Sequence, residues 1–179
     1  KMLTASPDVE SILLHRSAAT GEVHFGRSDI DLMMVITEEA AASGSRLAAL
    51  FDAVRRARRF NPALSHIDVY DRRSLISHSA MDTFRASLER RTVMLLYGRP
   101  VVIPDLPVDP DHGLERFLIW LAVFFSASIQ CKNRRNIRKL ALECWNAYAS
   151  AAGSNHLPSL LRSEMAARSC EAEPDLNPD

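Results

Sequence analysis

The chain has 179 residues, 47% hydrophobic and 25% charged, which suits one ordinary domain, or a small domain with a helical extension, and a core that needs no covalent staple. Its 22 basic residues are matched by 22 acidic ones, which argues against a protein that coats nucleic acid or an anionic membrane. Cys131, Cys144 and Cys170 form no CxxC, and the six histidines form no HExxH or HxH, so neither a disulfide framework nor a cysteine–histidine zinc motif is legible. No signal peptide is visible, and the cytoplasm is the expected location.

Residues 11–15 (SILLH) read as a short strand, and 16–28, with two glycines, two serines and a threonine, as a loop. Residues 29–36 (DIDLMMVI) begin in alternation and become fully apolar, as an interior strand does. A helix is predicted over 38–59, with Leu47, Leu50, Phe51 and Val54 on one face and Pro62 beyond its end. Residues 64–70 alternate as a third strand, and a helix follows over 74–90. Segments 93–97 and 100–103 flank Gly98-Arg99 as a short hairpin or tight turn. Pro104, Pro107 and Pro110 mark a linker. Helices are predicted beyond it at 113–130, 133–152 and 158–168. The nine-residue apolar run 117–125 is shorter than the roughly 18 residues of a membrane span, so Trp120, Phe124 and Phe125 are expected in a core and no membrane partner is expected. The organisation is an α/β domain over 1–108, an α-helical domain over 109–170 and a disordered acidic tail over 171–179.

Residues two apart on a strand share a face. Asp29 and Asp31 therefore project together, roughly 7 Å apart, and their repulsion is relieved by a divalent cation between them. Asp68, between Ile67 and Val69, repeats the local pattern of Asp31 between Ile30 and Leu32. On a neighbouring strand it would face the same site. Three carboxylates suit Mg2+ or Mn2+ better than zinc. Upstream, residues 17–21 (SAATG) are small and polar, with a hydroxyl at Ser17 and backbone N–H groups able to cradle phosphate oxygens.

Arg16-Ser17, then eleven residues, then Asp29-Ile30-Asp31-Leu32, and later Ile67-Asp68-Val69, resemble the nucleotidyltransferase superfamily: the polymerase-β-like fold of minimal nucleotidyltransferases and aminoglycoside adenylyltransferases. Ser28 directly before Asp29 matches the superfamily's commonest wording. The resemblance covers residues 11–70 and weakens past 108. It implies a small mixed β-sheet with helices packed on it, followed by a helical domain. It implies Mg2+- or Mn2+-dependent transfer of a nucleoside monophosphate, AMP from ATP, to a hydroxyl of a small molecule or protein, with pyrophosphate released. Asp29, Asp31 and Asp68 would hold the metal, Asp68 would also act as base, and Ser17 and Ser28 would contact the nucleotide. The superfamily's glycine before the serine is Arg16 here. That departure also admits a catalytically silent nucleotide- or partner-binding module that keeps the fold. An antitoxin-like, protein-modifying transferase is the third reading. The expected partners are a nucleoside triphosphate and a hydroxyl acceptor, with a homodimer or partner protein admitted and no long nucleic acid.

Arg55, Arg56, Arg58 and Arg59 fall at a helix C-terminus, where cations are favoured, and read as a solvated helix end. Lys132, Arg134, Arg135, Arg138 and Lys139 fall near a helix start, where cations are disfavoured. Either they bind a triphosphate or acidic substrate, Arg135 resembling a helical-domain nucleotide contact, or the helix begins earlier. Ile137, Leu140, Ala141, Cys144 and Tyr148 are the expected buried face. His15 and His66 read as core or rim histidines.

Overall fold

The computed structural model describes residues 3–22, 29–130, 134–152, 165 and 167, the side chains of 130 and 134–136 excepted. Val9–His15 (β1) and Ile30–Ile36 (β2) pair antiparallel, from Val9 opposite Ile36 to His15 opposite Asp31. Met33, Met34 and Val35 are fully buried, which is why β2 reads as an unbroken apolar run. Leu64–Asp71 (β3) lies parallel to β2 and so needs a crossover rather than a hairpin.

Two helices, Glu38–Ala41 (α1) and Gly44–Phe60 (α2), make that crossover where one was predicted. Each start has its own cap. The Thr37 hydroxyl accepts from the Ala40 amide at 3.2 Å, and the Ser43 hydroxyl accepts from the Arg46 amide at 3.5 Å. Such caps contribute about 1 kcal/mol each. On α2, Leu50 and Val54 are buried, while Phe51 is 49% exposed, so the buried stripe is narrower than the periodicity suggested.

The helix predicted over 74–90 is likewise two, Arg72–Met81 (α3) and Thr83–Thr92 (α4). Acidic side chains start both. Asp71 Oδ1 accepts from the Ser74 amide at 2.5 Å, and Asp82 Oδ1 accepts from the Arg85 amide at 3.0 Å, satisfying donors that a helix start leaves over. Met94–Gly98 (β4) adds to the outer side of β1, giving the mixed order β3-β2-β1-β4. Residues 100–103 do not form a second hairpin arm. Instead the chain leaves the sheet at Gly98, whose φ is +87°. A Cβ there would stand 1.8 Å from the Glu10 carbonyl oxygen, so the position requires glycine.

The registers sort the side chains into two faces. Ile12, Leu32, Met34 and Ile36 pack with Ala40 of α1 and with Leu50 and Val54 of α2. Leu13, Met33 and Val35 pack with Leu75 of α3. On this second face the strands align in rows. Leu13, Met33 and Asp68 form one row, and His15, Asp31 and His66 form the next. The apolar layer therefore gives way to polar side chains where β1 ends and β2 begins.

The strands belong to one compact unit, Lys1–Met81 with Glu89–Pro104; Asp82–Leu88 and Asp105–Asp179 form a second. The helical unit thus includes a segment from ahead of the proline-rich stretch. In it, Pro110–Gln130 (α5) packs along Arg134–Ala151 (α6), and Gly113 lets them approach: a Cβ there would lie 3.0 Å from the Ala151 nitrogen. Phe84, Leu88 and Ala147 form its core with Val108 and Phe117. Thr83 Oγ1 lies 2.9 Å from His112 Nδ1 and accepts from the Asp109 amide, and Arg116 pairs with Asp82.

Two expectations for this unit are corrected. Phe125 is 57% exposed and Trp120 and Phe124 are half-buried, so the apolar run of α5 is not a core helix. By length and composition Pro110–Ile129, with mean hydropathy 1.2 over its most apolar window, is long and apolar enough to cross a membrane. Among the described side chains of α6, Cys144, Asn146 and Ala147 are buried, whereas Ala141 and Tyr148 are exposed; the Tyr148 ring lies 5.6 Å from that of Phe117. Of the helix predicted over 158–168, Met165 and Ala167 are described and helical; its remainder and the acidic tail lie outside the described residues.

Candidate carboxylate and histidine centre

Asp31 and Asp68 come from neighbouring parallel strands and face the α3 side of the sheet. Their register makes them diagonal neighbours, since Asp31 is opposite His66 and Asp68 opposite Met33. Asp31 is nearly buried. Ser65 Oγ donates to its Oδ1 at 3.0 Å, and Arg16 Nη1 lies 3.6 Å from its Oδ2. Asp68 Oδ1 is 2.9 Å from His66 Nε2, and its Oδ2 is 3.7 Å from His15 Nε2. His15 is fully buried, because it closes β1 in the covered interior of the sheet. Its other nitrogen, Nδ1, lies 3.8 Å from Glu89 Oε1, and that side chain is 5% exposed.

The other expected site residues fall as follows. Asp29 is exposed and sits one residue ahead of β2, so its alternation with Asp31 lies outside the paired strand. Ser17 is in a single 3-10 turn, Arg16–Ala18, directly after β1. The Ala19 and Thr20 amides both donate to the Arg16 carbonyl, at 3.0 and 3.2 Å, so two of the N–H groups expected to cradle phosphate close the turn instead. Ser28 and the side chain of Arg135 lie outside the described residues; the backbone of Arg135 is in α6. Of the arginines at the end of α2, Arg58 Nε donates to the Leu64 carbonyl at 3.2 Å, joining the helix end to β3, and Arg55 pairs with Asp52.

Arg16 adopts a left-handed backbone with φ +59°. That is the conformation in which a glycine costs nothing and an L-residue is strained. Its guanidinium places a positive charge 3.6 Å from Asp31 Oδ2.

Glu89 is the residue that sequence reasoning missed. Its signal is faint: Ala86, three residues before it, and Leu88 beside it are buried apolar residues of α4. A surface depression of about 450 Å³ lies between the end of β3 and α3; Tyr70, Arg73, Ser77, His78 and Met81 line it, and neither Asp31 nor Asp68 does.

Chemically, the centre offers carboxylate oxygens, two imidazoles and a nearby hydroxyl in a setting that is largely shielded from water. Such a set binds divalent cations and moves protons. No family model matches the chain, and neither a curated protein nor a solved structure matches it significantly.

Proposed function

We propose that the chain is a divalent-metal-dependent nucleotidyltransferase that moves a nucleoside monophosphate, AMP from ATP, to a hydroxyl of a small molecule or protein. One observation carries this reading: Asp31 and Asp68, from neighbouring strands, share a face of the sheet at the end where β1 runs into the turn bearing Ser17. Asp31 and Asp68, with the exposed Asp29 beside them, would hold Mg2+ or Mn2+. All their donor atoms are oxygens, as those ions prefer. Bound metal would neutralise charge on the triphosphate and on the attacking and leaving oxygens. Asp68, held by His66, would take the proton of the acceptor hydroxyl. Ser17, on the turn beyond β1, would donate to the phosphates.

Arg16 favours a second reading, a module that keeps the fold and binds a nucleotide or partner without turnover. Its ion pair with Asp31 must open before a metal can use that oxygen. The pair is exposed enough to do so at modest cost, because an ion pair near the surface contributes about 0–1 kcal/mol.

Purified protein incubated with labelled nucleoside triphosphates, Mg2+ and candidate acceptors, with pyrophosphate release as the readout, tests the transfer. Nucleotide binding should require Mg2+ or Mn2+ and weaken strongly in Asp29→Ala and Asp31→Ala; unchanged metal-dependent binding in both removes the site assignment. Asp68→Asn should bind yet fail to transfer. Full turnover by that variant removes its role as base.

A further inference from the structure

His15, Asp68 and Glu89 reach one point from three elements, β1, β3 and α4. Each offers one ligand atom, and the three atoms lie within 4.8 Å of one another. His15 is 0% exposed, the Glu89 side chain 5% and the Asp68 side chain 14%. Asp68 Oδ2 is 3.7 Å from one ring nitrogen of His15, Nε2, and Glu89 Oε1 is 3.8 Å from the other, Nδ1, both beyond the roughly 3.0 Å of a hydrogen bond. Around a tetrahedral ion with metal bonds near 2.1 Å, ligand atoms stand about 3.4 Å apart, and the three, already within 4.8 Å of one another, close on that spacing through whichever nitrogen of His15 binds.

We propose that His15, Asp68 and Glu89 bind a single transition-metal ion of the Zn2+ class. The donor set decides the class. One imidazole nitrogen with two carboxylate oxygens suits Zn2+, whereas Mg2+ prefers oxygen alone and keeps its waters. The second oxygen of Asp68 is held by His66 at 2.9 Å, the kind of outer contact that fixes the orientation of a ligating group. Three protein ligands leave a fourth position for water. Asp68 is shared with the proposed Mg2+ site, but His15 and Glu89 have no part in nucleotidyl transfer, and this site does not rest on that reading.

Titration of the full chain with Co2+, which substitutes for Zn2+ in four-coordinate sites and colours them, tests the assignment. One equivalent should produce visible bands that Zn2+ then erases. Glu89→Gln should lower Co2+ affinity by at least about 100-fold, more than loss of an outer-contact residue costs a metal site. Asp29→Asn should leave the bands unchanged. A wild-type chain without bands, or a folded Glu89→Gln variant that binds as the wild type does, overturns the proposal. X-ray absorption of the unaltered, Zn2+-loaded chain gives an answer even if Glu89→Gln does not fold. One imidazole among nitrogen and oxygen neighbours supports the site, and sulfur neighbours or the absence of imidazole overturn it. Loss of the nucleotidyltransferase reading would show separately, as Mg2+-dependent ATP binding that is absent from the wild type or indifferent to Asp29→Asn.

Discussion

Replacing Arg16 tests whether its backbone carries strain. Its φ of +59° places an L-residue in the left-handed region, which costs about 1–2 kcal/mol and which glycine occupies freely. Two losses oppose the gain in Arg16→Gly. Glycine gives up roughly 0.5–1 kcal/mol more backbone entropy on folding than alanine does. The pair with Asp31, 3.6 Å long with the arginine side chain 42% exposed, also goes; a pair that exposed contributes about 0–1 kcal/mol. Arg16→Ala loses the same pair but keeps the left-handed cost. Comparing the two variants therefore cancels the ion pair and leaves a preference for glycine of about 1 kcal/mol. Urea unfolding with equal slopes for both variants reads that difference as a shift in midpoint. An alanine variant as stable as the glycine variant would refute the strain. The same variants address binding. If the guanidinium obstructs the turn, Mg2+-dependent ATP binding improves in both; if Arg16 is a phosphate ligand, it weakens in both.

Gly98→Ala should be among the most damaging single substitutions in the sheet, costing about 3 kcal/mol or more, because the new methyl would meet the Glu10 carbonyl at 1.8 Å in a backbone already at φ +87°. Thermal unfolding measures it, and a wild-type midpoint would contradict the packing of β4 on β1. Hydrogen bonds from the Ser74 hydroxyl and amide, followed by the nearby Arg73 charge, hold the Asp71 carboxyl below its usual range. A lowered pKa means that its contribution is complete above the unfolded value of 3.8 and is lost as pH falls through the lower, folded value. Asp71→Ala should accordingly cost about 1 kcal/mol near neutrality and less once both states are protonated, a difference visible in paired unfolding curves. Burial, and then the charge of Glu143, raise the Cys144 thiol. Mass spectrometry after brief alkylation should find Cys144 unmodified in folded protein and modified in urea, and rapid labelling of the folded state would contradict its burial.

Local pattern was enough to place β1, β2 and β3: segments that alternate are strands with one covered face, and a stretch covered on both faces, such as 32–36, is apolar throughout. It also marks Asp31 and Asp68 as candidates, since an acid set between apolar residues on a strand stands out there. The helix starts at Gly44 and Thr83 were written in Ser43 and Asp82 but were masked by continuous helical composition on either side. The burial of α5 was misjudged because an apolar run does not state what covers it. By itself, then, the sequence determined the strands, which depend on residues within a few positions of one another. Register and packing decided the rest. They set His15 opposite Asp31, brought Glu89 within 3.8 Å of His15 across 74 positions of chain, and put the Arg16 charge on Asp31. Contacts between such distant positions depend on how strands pair and helices dock, and no local pattern encodes them.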